Sequence, residues 1–369
     1  MTKVIFETAV IQSSISKATR VAPTKGSAFD KSAGIILEIQ PEADYPVVTM
    51  ATDTQTFYME WLNVLHVEGD AATWRLPSEA LDLILGKMPV GSGCQVTMER
   101  APDGIKITSG KKRGTLYVMK HDDYPTMTAF DPEDLVDAPG LIEKMMQVEW
   151  AADKSGAAPL GYIRLDGKTA RATDRNRLAV ASLEFPCDVE EILVQAKTIT
   201  RVLGKNTSPK VGVKDGMLFL MPDDHTQIKT LTYEGGYPNL DRLLKRDKPQ
   251  MIKLRKKDLL DVMEAALTVV GSERYPSMDL HLGREQIAAS LANKSYGLFG
   301  DVLDVPGQAD HPRFKLSITP QLLMDALNNA PDDVVLFGYD PDKKRDPLYV
   351  NGGSGFEAWV ALRSSGDEK

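Results

Sequence analysis

The sequence predicts an α+β protein made of three similar domains, in which each helix covers one face of an antiparallel sheet. Amphipathic helical stripes alternate along the chain with hairpin-linked, strand-like segments. Short motifs also recur: Ala51-Thr52-Asp53 returns as Ala172-Thr173-Asp174, and Asp123-Tyr124-Pro125 returns in part as Gly236-Tyr237-Pro238. Both spacings are close to one third of the 369 residues, which indicates three copies of one unit.

Each third of the chain is predicted to contain two helices. The first helix of each third is indicated by apolar residues at the i, i+3, i+4 period of one helical face. These residues are Val10, Ile11, Ile15 and Ala18 in the first third, Leu141, Met145 and Val148 in the second, and Leu259, Leu260, Met263, Leu267 and Val270 in the last. The second helices are predicted at Ser78–Lys87, Ala196–Leu203 and Pro320–Asn328, the last with Thr319 at its N-cap and Pro320 at N1.

Strand-like segments follow every predicted helix. After the first helices they are Gly34–Gln40 and Val47–Trp61, Gly161–Leu165 and Thr169–Phe185, and Met278–Leu282 and Gln286–Val305. After the second helices they are Cys94–Arg100, Gly104–Thr108 and Thr115–Met119, then Lys210–Val213, Met217–Met221 and Gln227–Tyr233, then Val334–Gly338, Pro347–Val350 and Glu357–Leu362. A helix with one apolar face buries it on one face of an antiparallel sheet, so every third reads as two helix-plus-sheet units. The predicted domains are residues 1–128, 129–247 and 248–369, with polar linkers near 126–138 and 245–252.

Composition excludes several classes of protein. The 44 basic and 52 acidic residues leave a net charge of −8, which excludes a simple basic DNA-coating protein but allows one basic surface on an acidic exterior. No apolar run approaches the length of a membrane span, and the N-terminal residues lack the pattern of a secretory signal. Cys94 and Cys187 lie far apart, so we expect neither a disulfide framework nor a metal-spaced pair, and we expect a cytoplasmic location.

A search for catalytic motifs favours a scaffold over an enzyme. The five histidines do not stand at metal-ligand spacings, and no phosphate-binding or nucleophile motif occurs, so no cofactor or metal is expected. The acidic pairs Asp122-Asp123, Asp223-Asp224 and Asp332-Asp333 fall at predicted turns, where carboxylates are typically solvated or cap the backbone. Gly352-Gly353-Ser354-Gly355 is followed by no helix, which favours a hairpin turn over a phosphate cradle.

Several segments resemble one known family. Ala172-Thr173-Asp174-Arg175-Asn176-Arg177-Leu178-Ala179-Val180 resembles the ATDGHRLA signature in the middle domain of the bacterial DNA polymerase III beta sliding clamps. Further matching segments are Leu231–Leu244, Leu76–Pro89 and Leu322–Asn328, and the likeness extends over nearly the whole chain. The resemblance implies the DNA clamp fold and a head-to-tail homodimeric ring, with helices lining a central hole around double-stranded DNA. Such a ring is a processivity factor that tethers the replicative DNA polymerase and catalyses nothing.

The resemblance also implies a DNA-facing surface, which should carry positive charge without reading bases. The helical segments Ala9–Arg20, Gln195–Lys205 and Lys253–Ala265 each contain more basic than acidic residues. Lys25 and Lys154 lie in loops where the family contacts DNA. The predicted DNA-binding residues are Lys17, Arg20, Lys25, Lys154, Lys197, Arg201, Lys205, Lys256 and Lys257. For any one of these helices the alternative is an ordinary solvated basic face.

A second implied surface is a groove between the middle and last domains. In the family it accepts short linear peptides from the polymerase, the clamp loader, and repair proteins or other polymerases. The matching positions are Leu160, Thr173, Arg175, Asn176, Arg177, Leu178, Pro238, Arg242, Leu243, Val360 and Leu362. Without the resemblance, Leu178, Leu243 and Val360 would be interpreted as core residues. The sequence departs from the family at Arg175-Asn176, where Gly-His is usual, and at its polar end Gly366–Lys369, so the peptide preference of the groove is expected to differ.

The third implied surface joins two copies of the chain. An unpaired sheet edge is suited to pairing with another chain, and in the family an edge strand of the first domain meets one of the last domain. The matching segments are Thr115-Leu116-Tyr117 and Val269-Val270, so Leu116, Val269 and Val270 are predicted at the dimer interface. Two alternatives stay open: a clamp-like ring serving another DNA transaction, and a carboxylate-dependent α+β enzyme with acids converging in a deep pocket.

Overall fold

The computed structural model describes residues 2–23, 31–186, 190–248, 250–270, 276–283, 285–305, 314–343 and 346–363. These residues form two compact units. The first comprises Met1–Ile142, Pro186–Val189 and Lys197–Tyr233, and the second comprises Glu143–Phe185, Glu190–Ala196 and Glu234–Lys369. Helices and antiparallel sheets occur in both units, which confirms the predicted α+β class. The division into three domains stays a prediction.

One element order, a strand, a helix and three strands, occurs six times in the described residues. The first copy has β1 (Lys3–Glu7), α1 (Thr8–Val21), β2 (Ile35–Ile39), β3 (Val47–Thr52) and β4 (Thr56–Leu62), with an additional β5 (His66–Glu68). The second has β6 (Ala72–Leu76), α2 (Ser78–Leu85), β7 (Gln95–Ala101), β8 (Gly104–Ser109) and β9 (Lys112–Leu116). A 3₁₀ turn (Pro132–Asp134) precedes the third, which has β10 (Val136–Asp137), α3 (Leu141–Glu149), β11 (Tyr162–Asp166), β12 (Thr169–Thr173) and β13 (Arg177–Ser182).

The remaining three copies repeat the same order. The fourth has β14 (Glu191–Gln195), α4 (Ala196–Val202), β15 (Lys210–Lys214), β16 (Met217–Asp223) and β17 (Thr226–Leu231), followed by the short helix α5 (Asp241–Leu244). The fifth has β18 (Gln250–Arg255), α6 (Lys256–Leu267), β19 (Met278–Leu282), β20 (Gln286–Asn293) and β21 (Gly297–Asp304). The sixth has β22 (Phe314–Ile318), α7 (Pro320–Asn329), β23 (Val334–Tyr339), β24 (Leu348–Gly353) and β25 (Phe356–Val360).

The strand that precedes each helix was missing from the sequence prediction. Each such strand joins the sheet of the neighbouring copy. In the first two copies, β1 pairs with β7 and β6 pairs with β2. In the same way β10 pairs with β15 and β14 with β11, and β18 pairs with β23 and β22 with β19. Residues 253–255 therefore belong to β18 and not to the predicted helix Lys253–Ala265. Ile252 and Leu254 are buried on one side of β18, and this period-two burial is the pattern of a strand.

The third strands of the first and fourth copies, and of the third and sixth copies, join the small sheets into larger ones. In the first unit β17 pairs with β4, which makes an eight-stranded sheet in the order β10-β15-β16-β17-β4-β3-β2-β6. In the second unit β13 pairs with β25, which makes the sheet β14-β11-β12-β13-β25-β24-β23-β18. A five-stranded sheet in the first unit ends at β9, and a four-stranded sheet in the second ends at β21.

The core of each unit lies between helix stripes and a sheet face. In the first unit, Ile11 and Ile15 of α1 are fully buried where the helix packs on β3 and β4. In the second, Leu259 and Met263 of α6 and Leu323 of α7 are fully buried. Each such side chain contributes about 1.5–3 kcal/mol by leaving water. Ile11, Ile15, Leu259 and Met263 belong to apolar stripes that the helical period predicted, and Leu323 lies in a predicted helix.

Candidate peptide groove and charged surfaces

The site begins with a hairpin turn between β12 and β13. The Thr173 hydroxyl donates to the carbonyl of Arg177 at 2.6 Å. Oδ1 of Asp174 accepts from the backbone N–H groups of Asn176 at 2.9 Å and Arg177 at 3.1 Å. Arg175, which lies between Asp174 and Asn176 in this turn, has a backbone φ of +77°. Thr and Asp side chains that bond their own backbone in this way determine the shape of a turn.

The first copy of the motif makes the same turn. The Thr52 hydroxyl donates to the carbonyl of Thr56 at 2.7 Å, and Asp53 Oδ1 accepts from the N–H groups of Gln55 and Thr56 at 3.0 and 2.6 Å. Thr54 has φ at +75°, as Arg175 does. The recurrence of Ala-Thr-Asp is therefore a consequence of turn chemistry, and the motif alone does not identify a binding site.

The recurring Tyr-Pro motif packs beside each of these turns. Tyr124 and Tyr237 are largely enclosed, and burial raises the pKa of both hydroxyls above the ordinary value, while the backbone of Thr52 or Thr173 opposes the shift. The Tyr124 hydroxyl also donates to the Gly34 carbonyl at 3.3 Å. In the second unit this packing brings Pro238, the residue after Tyr237, beside the turn.

A cavity of about 470 Å³ lies against the turn in the second unit. It is formed by the turn, by the segment that includes α5, and by residues around the end of β25. The lining residues are Thr173, Arg175, Asn176, Arg177, Leu178, Pro238, Asn239, Leu240, Arg242, Leu243, Arg246, Pro347, Trp359, Ala361 and Leu362. We call this the first cavity.

The floor of the first cavity is apolar and tightly packed. Leu178, Val180, Tyr349 and Trp359 form one buried cluster, against which Leu240, Leu243, Leu244 and Met251 pack. The rings of Tyr349 and Trp359 lie 5.2 Å apart between centroids at an angle of 57°. Lys248 Nζ lies 3.8 Å from the centroid of Tyr349, whose hydroxyl donates to Glu357. The floor therefore offers apolar surface on side chains that packing holds in place.

Arg177 connects the first cavity with a second one. Its side chain is only 4% exposed; Nε donates to Asp174 Oδ2 at 3.0 Å and Nη1 donates to Asp325 Oδ2 at 2.5 Å. Its guanidinium carbon lies 5.3 Å from the ring centroid of Trp150. A planar guanidinium with two carboxylate partners is held rigidly, so Arg177 braces the turn.

The second cavity, of about 700 Å³, lies on the other side of Arg177. It shares Asn176, Arg177, Ala361 and Leu362 with the first cavity. Its other lining residues are Asp153, Lys154, Asp174, Thr319, Gln321, Leu322, Asp325 and Arg363. Two of its three carboxylates are bound to Arg177, which is a structural arrangement and not a pair of converging catalytic acids. The first cavity has no Asp or Glu in its lining.

Nine of the eleven predicted groove residues line the first cavity: Thr173, Arg175, Asn176, Arg177, Leu178, Pro238, Arg242, Leu243 and Leu362. Val360 does not, because it is fully buried in β25; its neighbour Trp359 lines the cavity instead. Adjacent strand residues point to opposite faces, so period two indicates that only one of the two faces the cavity, and the packing of β25 decides which one. Leu160 also lies outside both cavities, with its carbonyl accepting from the N–H of Asp153 at 2.8 Å. Leu240, Arg246 and Pro347 were not predicted.

The predicted DNA-binding residues of the first unit lie on and after α1 and α4. Lys17 is paired with Glu60 at 2.8 Å, so its charge is compensated. Arg20 Nη1 donates to the carbonyl of Arg201 at 2.5 Å, which brings the two helix ends together. Lys197 belongs to α4, and Lys205 is an exposed residue that follows the C-terminal end of this helix. Lys25 lies outside the described residues.

The predicted DNA-binding residues of the second unit differ from one another in exposure and in hydrogen bonding. Lys256 Nζ donates to the carbonyl of Ala330 at 2.8 Å, so its ammonium group caps the end of α7. Lys257 is exposed, and Lys154 lines the second cavity. The net positive charge assigned to the helix Lys253–Ala265 was wrong, because residues 253–255 are in β18 and α6 itself has more acidic than basic residues.

The predicted interface residues lie in two different kinds of structure. Leu116 belongs to β9, which is a sheet edge as expected, although its own side chain is buried. Val269 and Val270 are not in a strand: they form the turn that ends α6, where their N–H groups donate to the carbonyls of Ala266 and Leu267. Among the described residues of this part of the chain, β21 is at one edge of the four-stranded sheet.

The described residues contain neither a cluster that could hold a metal ion nor a membrane-spanning helix. Among them, no group of three or more His, Cys, Asp or Glu side chains could hold a metal ion. No helix that the structure describes is both long enough and apolar enough to cross a membrane.

Comparison with known proteins identifies the fold. No family model matches the chain. The beta sliding clamp of Haemophilus influenzae is 22% identical over 309 residues, covering 80% of this chain and 81% of that protein. The DNA polymerase III beta subunit of Thermotoga maritima superposes with a TM-score of 0.84 at 18% identity, covering 99% of this chain and 100% of the other. The DNA polymerase sliding clamp of Bacillus subtilis gives 0.82 at 16%, covering 99% of each chain. The chain therefore has the fold of the bacterial DNA polymerase III beta sliding clamps.

Proposed function

We propose that this protein is a DNA sliding clamp: a homodimeric ring that encircles double-stranded DNA and tethers the replicative polymerase for processive synthesis. It acts as a processivity factor without catalytic activity of its own, in the cytoplasm at the replication fork. The observation that carries the proposal is the first cavity, which nine of the eleven predicted groove residues line, in a chain that has the clamp fold.

Strand pairing supports assembly of two copies. Each of the six copies of the repeated order ends in a third strand; four of these strands pair within the chain, β17 with β4 and β13 with β25. The other two, β9 and β21, are at open sheet edges in the described residues. An open edge presents unpaired N–H and C=O groups. We infer that β9 of one copy pairs with β21 of the other, and that two such head-to-tail contacts close the ring.

Exposed apolar side chains lie at both edges. Tyr117, directly after β9, is 79% exposed, and Leu83 of α2, which packs beside β9, is 66% exposed. On β21, Leu298 is 82% exposed and Val302 is 53% exposed. Exposed apolar side chains that lie together at an unpaired sheet edge are suited to burial by another protein. In the proposed interface, the places of Val269 and Val270 are taken by Leu83, Tyr117, Leu298 and Val302.

DNA-facing surfaces are proposed on exposed basic residues of each unit. These are Arg20, Arg201 and Lys205 in the first unit, and Lys154 and Lys257 in the second. Contacts of this kind attract phosphates without reading bases, so the ring can move along the duplex. Lys17 and Lys256 contribute less, because Glu60 and the Ala330 carbonyl already bind their ammonium groups.

The partner surface is the first cavity together with the adjoining second one. We propose that it binds short linear peptides from the polymerase, the clamp loader, and repair proteins or other polymerases. Leu178, Leu243 and Trp359 supply apolar surface, while polar groups around the turn set the register of the peptide.

Topological binding to DNA tests the ring. The protein is mixed with nicked circular DNA, closed with an amine-reactive cross-linker that joins protein to protein, and washed in high salt. We expect retention on the circle and release once a restriction enzyme cuts it, because confinement does not depend on phosphate contacts. Linear DNA treated in the same way is the control. Equal retention on both forms, or loss of both in high salt, would contradict the ring.

A second experiment tests the groove alone. Arg242→Ala and Leu243→Ala should weaken the binding of a polymerase-derived peptide in a fluorescence titration while circular dichroism stays unchanged. Leu65→Ala, on the first unit, removes an exposed apolar side chain outside both the groove and the proposed interface and serves as the control. Unchanged affinity in both groove variants would remove the groove assignment.

A further inference from the structure

We propose that the first cavity selects peptides in which acidic side chains flank an apolar anchor, and that Arg175 and Arg242 read those acids. This inference deepens the proposed function and rests on its peptide groove. It adds the chemical class of the partner sequence and the residues that determine specificity.

Charge is distributed unevenly around the cavity. Four arginines and no carboxylates belong to its lining. Arg177 is bound by Asp174 and Asp325, and Arg246 Nη1 is bound by Asp346 Oδ1 at 2.6 Å.

Arg175 and Arg242 are different, because neither has a carboxylate partner within the part of the chain that the structure describes. Two uncompensated guanidinium groups at one apolar cavity favour a ligand with negative charge.

The backbone at Arg175 supports a role for its side chain. A φ of +77° lies in the left-handed region, which glycine adopts freely and which is unfavourable for a residue with a Cβ. Thr54 has φ at +75° in the equivalent turn, so the turn itself imposes this conformation. Arg175 is also exposed, and its side chain makes none of the hydrogen bonds that hold the turn, which come from Thr173 and Asp174. The turn therefore does not require an arginine at this position, and the exposed side chain is positioned to contact a ligand.

The apolar floor supplies the second half of the recognition. Leu178, Leu243 and Trp359 offer a packed surface for one or two apolar side chains of a peptide. A carboxylate beside that anchor would form short, charge-assisted hydrogen bonds with a guanidinium group. The same pair of contacts would disfavour a peptide with lysine in those positions, since like charges repel.

A peptide library with controlled flanks tests the proposal. Short peptides carry a randomised apolar core between flanks that are held acidic (Asp, Glu), neutral (Asn, Gln) or basic (Lys), and are selected on the immobilised protein. The best core is then synthesised with all three flanks and titrated by fluorescence anisotropy. We expect the acidic form to bind about tenfold more tightly than the neutral form at low salt, with the difference shrinking as salt is added.

Charge-reversal variants assign the preference to residues. Arg175→Glu and Arg242→Glu should each reduce the acidic-to-neutral affinity ratio to about one or below, because the acidic form loses more affinity than the neutral form. Lys168→Glu, an exposed residue of the same unit outside both cavities, makes the same charge change and should leave the ratio intact. Arg175→Gly removes the charge and the unfavourable backbone together; the ratio should fall without loss of thermal stability.

The possible results separate this inference from the proposed function. If acidic and neutral peptides bind equally well, the charge preference is wrong and the peptide groove stands. If no library peptide binds, both are wrong. If Arg175→Gly weakens the acidic and neutral forms to the same extent, Arg175 shapes the cavity instead of reading charge, and the proposed role is overturned.

Discussion

Removal of the Arg177 guanidinium should destabilise the second unit measurably. The side chain is 4% exposed and makes two charge-assisted hydrogen bonds, to Asp174 and Asp325. Arg177→Ala leaves both carboxylates without their partner. Each bond of this kind contributes about 1.5–3 kcal/mol, and the carboxylates are 17% and 22% exposed, so water can partly replace the lost contacts. We therefore expect the free energy of unfolding to fall by about 3 kcal/mol, at the lower end of the range for broken buried pairs.

Urea unfolding followed by tryptophan fluorescence measures this loss. Trp150 and Trp359 both lie in the second unit, and the Trp150 ring contacts the Arg177 guanidinium. A double-mutant cycle with Asp325→Ala separates the pair from the rest of the site; we expect a coupling free energy of about 1.5 kcal/mol. An unchanged dependence of the unfolding free energy on urea would show that only stability has altered.

Arg255 provides the matched control. Its guanidinium also binds a carboxylate, Asp258, through two bonds of 2.8 Å, but the side chain is 73% exposed. Exposed pairs are screened by water, so Arg255→Ala should change stability by no more than the error of the measurement. Equal losses in the two arginine variants, or a coupling energy near zero, would refute the argument that burial makes the Arg177 contacts important.

Three more outcomes follow from the structure. Burial raises the pKa of the Tyr58 hydroxyl, so the folded state holds the hydroxyl proton more tightly than the unfolded state does. The free energy of unfolding should therefore fall as pH rises above about 10. Tyr58→Phe should make that fall shallower, as measured by urea titrations at a series of pH values. Leu298→Asp should convert a dimer into monomers by light scattering, whereas Val269→Asp should not, because Val269 lies in the turn after α6. Arg201→Met should shorten retention on linear DNA at low salt more than Lys17→Met does, because Glu60 already compensates Lys17.

Local patterns were sufficient for the six helix-plus-sheet units. The helical period located the stripes of α1, α3 and α6, and the recurrence of Ala-Thr-Asp and Tyr-Pro indicated a repeated unit. In the structure the two motifs meet, since Tyr124 and Tyr237 pack beside the turns at Thr52 and Thr173. Periodicity and turn chemistry are properties of a few neighbouring residues, which is why the sequence alone reveals them.

The strands that precede the helices escaped prediction for a related reason. A strand of five residues such as Phe314–Ile318 has too few alternations to stand out, and it is stabilised by a partner from the neighbouring copy. The error at Lys253–Ala265 arose in the same way, because a strand and a helix adjoin at Lys256 without an intervening turn. Pairing between distant segments decides such cases.

For the groove, the sequence determined, through its resemblance to the clamp family, which short segments to consider: the turn at Thr173–Arg177 and the segment around Arg242. The tertiary structure decided which side chains meet there. It placed Trp359 in the cavity and Val360 in the core, and it bound Arg177 to Asp325 across a long stretch of chain while leaving Arg175 exposed. The physical reason is that burial and ion pairing depend on residues far apart in sequence, whereas period and turn propensity depend on residues close together.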